Sequence, residues 1–246
     1  MNAQTRKNED WKKELMVEGL LDPPFFLRTF LPHWYTKPLD WAHRGVLAIL
    51  LRQTDFLLNF GVENWQGYQY HWTREGLNKI IKYFVWKHDP LDEDEVGIPL
   101  FILRTNEEGK EYLELSLPKF SQIVWPRGFG KTTVINGANV IKVVYKLRKF
   151  LVYLSETATH ANMQIANIKR ELEANALLIE VFGRQAPTRS EPQPWRDDMF
   201  ETIQGVALTA RGRGGQVRGL NHNGVRPDDI TIDDVEDPES VSTDLQ

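Results

Sequence analysis

The sequence predicts an α/β protein in which a mostly parallel sheet is flanked by helices, with an N-terminal helical lobe and a β-hairpin ahead of it. Three observations carry this. From Ser121 onward, strand patterns and helix patterns alternate, which is what right-handed βαβ crossovers produce. Phe150 to Leu154 (FLVYL) is a continuous apolar run, the mark of a strand covered on both faces. Between a short apolar run and a helical pattern, Ser121 to Thr133 reads SQIVWPRGFGKTT, a turn made by Pro126 and glycines.

The chain has 246 residues, enough to bury a sizeable core as one large domain or as a domain with a smaller lobe. The expected division is 1–97 for the lobe and 98–246 for the core. With no cysteine, disulfides and thiolate zinc sites are excluded, which fits a reducing cytoplasm. The N-terminus is polar, and Val46 to Leu51, the longest purely aliphatic run, is far too short to span a bilayer, so no membrane role is expected.

In order along the chain, Phe25 to Trp34 is dense in aromatics. Leu39, Ala42, Val46, Ile49, Leu50 and Leu57 then recur at helical spacing and predict a helix from Leu39 to Leu57. Leu77, Ile80, Ile81, Phe84 and Val85 predict a second. Aromatic side chains in this lobe could stack on an adenine ring, although core packing is the simpler expectation. Ile98 to Leu103 and Tyr112 to Leu117, around a turn at Asn106 to Lys110, predict the hairpin.

After the glycine turn, Val134, Ala138, Ile141 and Leu147 mark a helix apolar nearly all round. Ser155-Glu156-Thr157 caps the next, whose face is Ala158, Ala161, Ile165, Ile168 and Leu172. Phe200 to Ile203 and Val206 to Ala210 read as a strand pair turning at Gly205. Arg211 to Arg226 carries five glycines among four arginines and reads as a mobile loop near nucleotide or nucleic acid. Ile230 and Ile232 in DITIDDVED predict a buried strand with acids at its C-terminal end.

Two stretches point to chemistry. Gly128 and Gly130 allow backbone N–H groups to approach a polyphosphate, with Arg127, Phe129 and Thr133 completing the loop. Lys131 would reach the β and γ phosphates, Thr132 would place its hydroxyl on Mg²⁺, and the helix starting there would aim its positive end at the anion. The P-loop pattern has its first glycine six residues before the lysine, where this chain has Trp125. Arg127 either attracts the anion generally or acts on the γ phosphate from the same subunit. In the second stretch Asp233 would hold Mg²⁺, and Asp234 or Glu236 would polarise the attacking water. The class implied is a P-loop NTPase of the RecA-like (ASCE) kind that binds ATP and Mg²⁺.

The net charge of −4 argues against a nucleic-acid footprint over the whole surface. Local basic patches exist: Lys142, Lys146, Arg148 and Lys149, and the four arginines of the glycine-rich segment. They suit phosphate contact at a defined face, while the first also reads as a solvated helix face.

Taken together, WPRGFGKTT, SETATHANMQIANIKRELEAN, the glycine–arginine segment with VRGL, and RPDDITIDDVED resemble the ATPase portion of a tailed-bacteriophage terminase large subunit. The resemblance runs from Ile123 to Asp237, about half the chain, and lies more in the order of its parts than in any one motif. In that family the phosphate loop often carries an arginine where Arg127 stands and lacks the first glycine.

The resemblance implies an ATP-driven motor that moves double-stranded DNA into a procapsid. Its partners would be the portal protein and a small terminase subunit, its assembly a homo-oligomeric ring, usually of five subunits, and its location the host cell cytoplasm. Asp233 would be the Walker B carboxylate. The family more usually has Glu directly after it, and here Asp234 leaves Glu236 as a rival. Arg211, Arg213 and Arg218 are candidates, unranked, for an arginine acting in trans. The family's coupling motif and its nuclease domain are not recognisable before Gln246, so the chain is expected to be an N-terminal fragment that hydrolyses ATP slowly alone, with endonuclease activity belonging to the full-length protein. A helicase or other P-loop translocase, and a non-hydrolysing nucleotide-gated assembly module, are the competing expectations.

Overall fold

A computed structural model describes residues 3–51, 101–105, 111–115 and 128–234. The chain divides into two compact units, Met1–Thr36 with Ile135–Gln246, and Lys37–Val134. The helical pattern at 77–85, the hairpin turn, the Ser121 strand with Arg127, and Glu236 lie outside the described residues.

In the first unit, α1 (Ala3–Leu21) is followed by α2 (Pro23–Phe30). Asp22 caps α2 by accepting the Phe25 N–H at 3.2 Å, and prolines occupy its first positions, where a missing N–H costs no helical bond. Phe26, Leu27, Phe30 and Leu31 are buried. The aromatic density read in the sequence is therefore core: Phe26, Phe30, Tyr145 and Phe182 form a ring cluster with centroids 4.6–5.9 Å apart. Tyr145 also donates its hydroxyl to the Met16 carbonyl at 2.7 Å, tying α1 to this cluster.

The core sheet has four described strands: β3 (Phe150–Ser155), β4 (Met199–Glu201), β5 (Ala207–Gly212) and β6 (Asp229–Ile232), in the spatial order β4-β5-β3-β6. β3 runs parallel to both β5 and β6, with Phe150 opposite Ala207 and Leu151 opposite Asp229. β4 is antiparallel to β5, because the turn at Gly205 (φ +82°) closes a hairpin. The expectation of a mostly parallel sheet is corrected accordingly: the sheet is mixed.

The helices on this sheet follow their sequence patterns. α4 (Lys131–Val144) is buried on all sides from Val134 onward. It stops at Val144, where the chain turns through Lys146 (φ +55°), so Leu147 lies beyond it. Near that end the Lys142 ammonium, 3 % exposed, pairs with Asp229 at 2.9 Å and fastens α4 to the start of β6; the basic residue read as solvated is buried. α5 (Ala158–Ala174) is capped by Thr157, whose hydroxyl accepts the His160 N–H at 3.1 Å, and buries Ala161, Ile165, Ile168 and Leu172 while Ala158 is exposed. Asn175 then joins α5 to α6 (Ala176–Phe182), its Oδ1 accepting the Leu178 N–H at 3.1 Å.

β6 departs from expectation in one respect. Ile230 and Ile232 are 49 % and 60 % exposed, while Thr231 and Asp233 on the other face are buried. The strand is where the sequence placed it, but its isoleucines face outward.

In the second unit, α3 (Trp41–Leu51) realises the first part of the Leu39 helical pattern, and β1 (Phe101–Thr105) pairs antiparallel with β2 (Glu111–Leu115) as the expected hairpin, Leu103 opposite Leu113.

Candidate functional site

The glycine turn sits at the start of α4. Gly128 and Gly130 have φ +82° and +71°, the left-handed region in which a side chain is strained. At Gly128 a Cβ would meet none of the described residues within 4 Å, and it is the left-handed conformation that calls for glycine there. Gly130 is the residue before the helix, and its carbonyl accepts the Val134 N–H at 3.0 Å. The Phe129 carbonyl is taken as well, by His43 Nε2 at 2.8 Å, and the Phe129 ring stacks on the imidazole. With both carbonyls committed, the exposed tip Gly128-Phe129-Gly130 stands at the positive end of a 14-residue helix. Lys131, Thr132 and Thr133 form the first turn of that helix and are half-buried.

In the other unit, the parallel strands β3, β5 and β6 end along one edge of the sheet. That is where open α/β sheets place their ligands. Three backbone bonds join these ends: Asp233 N–H to the Leu154 carbonyl at 2.9 Å, Glu156 N–H to the Asp234 carbonyl at 3.0 Å, and Arg213 N–H to the Glu156 carbonyl at 3.1 Å. A Cβ on Gly212 would lie 2.4 Å from the Ala158 amide nitrogen, so glycine is what allows β5 to end against the first turn of α5.

Asp233, the residue after β6, turns its carboxylate inward, 4 % exposed, and the Tyr153 hydroxyl donates to its Oδ2 at 3.0 Å. Tyr153 lies on the neighbouring strand β3 and is itself buried. Burial first, and then the Asp233 charge, push its phenol far above the ordinary tyrosine value, so it remains a donor. Asp234 is exposed and adopts φ +45°, a backbone state that Asp tolerates better than most residues.

The three candidate arginines differ. Arg211 Nη1 donates to Thr209 Oγ1 at 2.7 Å and to the Ala210 carbonyl at 2.6 Å, folding back on its own strand. Arg213 and Arg218 are exposed. The segment that carries them is anchored near its far end, where His222 Nε2 lies 2.7 Å from Glu201 Oε2 on β4 and His222 bridges to Val225.

Sequence reasoning missed Tyr153 and His43. Tyr153 is the one polar-tipped residue of FLVYL, a weak cue inside an apolar run. His43 meets Phe129 across 86 residues, for which no local pattern exists. Among the described residues no group of three or more His, Asp or Glu side chains is placed to hold a metal ion, and no helix is long and apolar enough to cross a membrane. No protein-family model, curated protein or solved structure matches the chain.

Proposed function

We propose that this chain is the ATPase portion of a terminase large subunit, a Mg²⁺-dependent P-loop NTPase whose hydrolysis of ATP drives double-stranded DNA into a procapsid. The observation that carries the nucleotide part is the Gly128–Gly130 turn: two left-handed glycines with the Phe129 and Gly130 carbonyls tied off, ahead of Lys131 and Thr132 at a helix start. Such a tip suits an anion with several oxygens. The terminase part rests on the order of motifs, and the portal, the small subunit, the subunit ring and the host cytoplasm come with it.

In this reading Mg²⁺ would take the oxygen donors that the sequence names. The Thr132 hydroxyl and Asp233 carboxylate are hard oxygen donors of the kind Mg²⁺ accepts while keeping several waters, and the Tyr153 bond holds Asp233 in one orientation. When bound, Mg²⁺ supplies positive charge to the phosphate oxygens during in-line attack. In this mechanism the turn amides and Lys131 hold the β and γ phosphates. Asp234 or Glu236 orients the attacking water, and Arg127 adds charge from the same subunit. Arg213 and Arg218 are the better placed of the arginines to reach a neighbouring subunit, because Arg211 would first have to release Thr209 and Ala210.

The test is ATP binding and turnover, with and without double-stranded DNA, in wild type, Lys131→Ala, Asp234→Ala and Glu236→Ala. Lys131→Ala is expected to lose binding by about a hundredfold or more, the loss of a charged hydrogen-bonding group. Replacement of the catalytic acid should leave binding and remove turnover. Unaltered binding by Lys131→Ala would contradict the reading, and wild-type binding without turnover even with DNA would favour a nucleotide-gated assembly module.

A further inference from the structure

His43 is the third residue of α3, the helix that Asp40 caps. Asp40 Oδ1 accepts the His43 N–H at 3.0 Å, and the Asp40 carbonyl accepts the Arg44 N–H at 3.2 Å. The same Oδ1 lies 2.5 Å from His43 Nδ1 on one side of the ring, while Nε2 faces the Phe129 carbonyl on the other. The stacked Phe129 ring, 5.7 Å away and inclined by 9°, fixes the plane of the imidazole. A carbonyl oxygen only accepts, so in the contact at Nε2 the imidazole donates to Phe129.

The consequence reaches the loop through peptide geometry. A trans peptide is planar, with its C=O and N–H pointing in opposite directions, and none of the described peptides is cis. Anchoring the Phe129 carbonyl on His43 therefore turns the Gly130 N–H to the side away from His43. We propose that His43 is the positioning residue of the phosphate loop: held between Asp40 and the Phe129 carbonyl, it aims the Gly130 amide at a bound polyphosphate. This deepens the nucleotide-binding reading and rests on it.

The experiment is calorimetric binding of MgATP to the full chain, with thermal melts confirming the fold of each variant. His43→Ala should weaken binding by about tenfold, the worth of one hydrogen bond that orients the loop. His43→Gln, which keeps one donor for the Phe129 carbonyl, should restore most of that loss, a rescue that a merely structural role for the ring would not give. Wild-type affinity in His43→Ala, or an equal loss in His43→Gln, would overturn the positioning role alone. No MgATP binding by wild type would overturn the phosphate-loop reading, and the positioning role with it.

Discussion

At the start of α4 three exposed residues present charge through backbone conformation, with glycines at φ +82° and +71° and carbonyls turned aside. At the end of β6 the charge is a single side chain, Asp233, 4 % exposed and held by the hydroxyl of a buried tyrosine. The first arrangement depends on what is missing, a Cβ and available carbonyl oxygens. The second depends on what surrounds it, since a buried carboxylate is tolerated only with donors in place. A change at the loop should therefore alter ligand binding more than stability, and a change beneath Asp233 should alter both.

The largest effect on stability is expected for Tyr153→Phe. Removing the donor from a buried carboxylate costs about 2 kcal/mol, measured as a lower urea midpoint at unchanged slope. With Asp233 holding the metal as proposed, MgATP affinity should also fall, by about tenfold. A stability equal to wild type would mean that the hydroxyl does not hold Asp233.

Gly128→Ala should be milder for the fold and harsher for the ligand. The φ of +82° costs an alanine about 1 kcal/mol with no clash against the described residues to add to it, while calorimetry should show MgATP affinity falling further than this small loss of stability. A loss of stability with unchanged affinity would reverse the contrast between the two regions.

The smallest effect lies away from both. Hydrogen bonds from Arg184, and then the Thr188 amide, hold the half-buried Glu191 carboxyl down at about 2, below its usual 4.5. A depressed carboxylate contributes stability above the unfolded value and loses it as the pH falls through the folded one. Amide shifts of residues 184–191 should therefore move as the pH drops below about 4.5 toward about 2, and Glu191→Gln should remove that movement. The same movement in Glu191→Gln would show that the Arg184–Glu191 clasp is not its cause.

The glycine turn, β3, α5 and the β4–β5 hairpin were legible in the sequence because each is written in local terms: glycine spacing, an apolar run, a cap and a helical face, a turn glycine. Less was legible where the answer depends on distant chain. In DITID the two-residue period correctly groups Ile230 with Ile232 and Thr231 with Asp233, but period alone does not tell which face is covered. The structure covers Thr231 and Asp233 and leaves the isoleucines out. Lys142 looked like part of a solvated basic patch and instead is buried against Asp229, 87 residues away. Of the candidate site, the loop glycines and Asp233 were named from sequence, whereas Tyr153 and His43 act through contacts no local pattern encodes.

The proposal that the Gly128–Gly130 turn holds a polyphosphate is tested most directly by calorimetric binding of MgATP to wild type and Gly130→Ala, with thermal melts confirming both folds. The account predicts binding by wild type that falls by about tenfold or more in Gly130→Ala, whose φ of +71° an alanine adopts only under strain. Equal affinity in the two, or no binding by wild type, would contradict it.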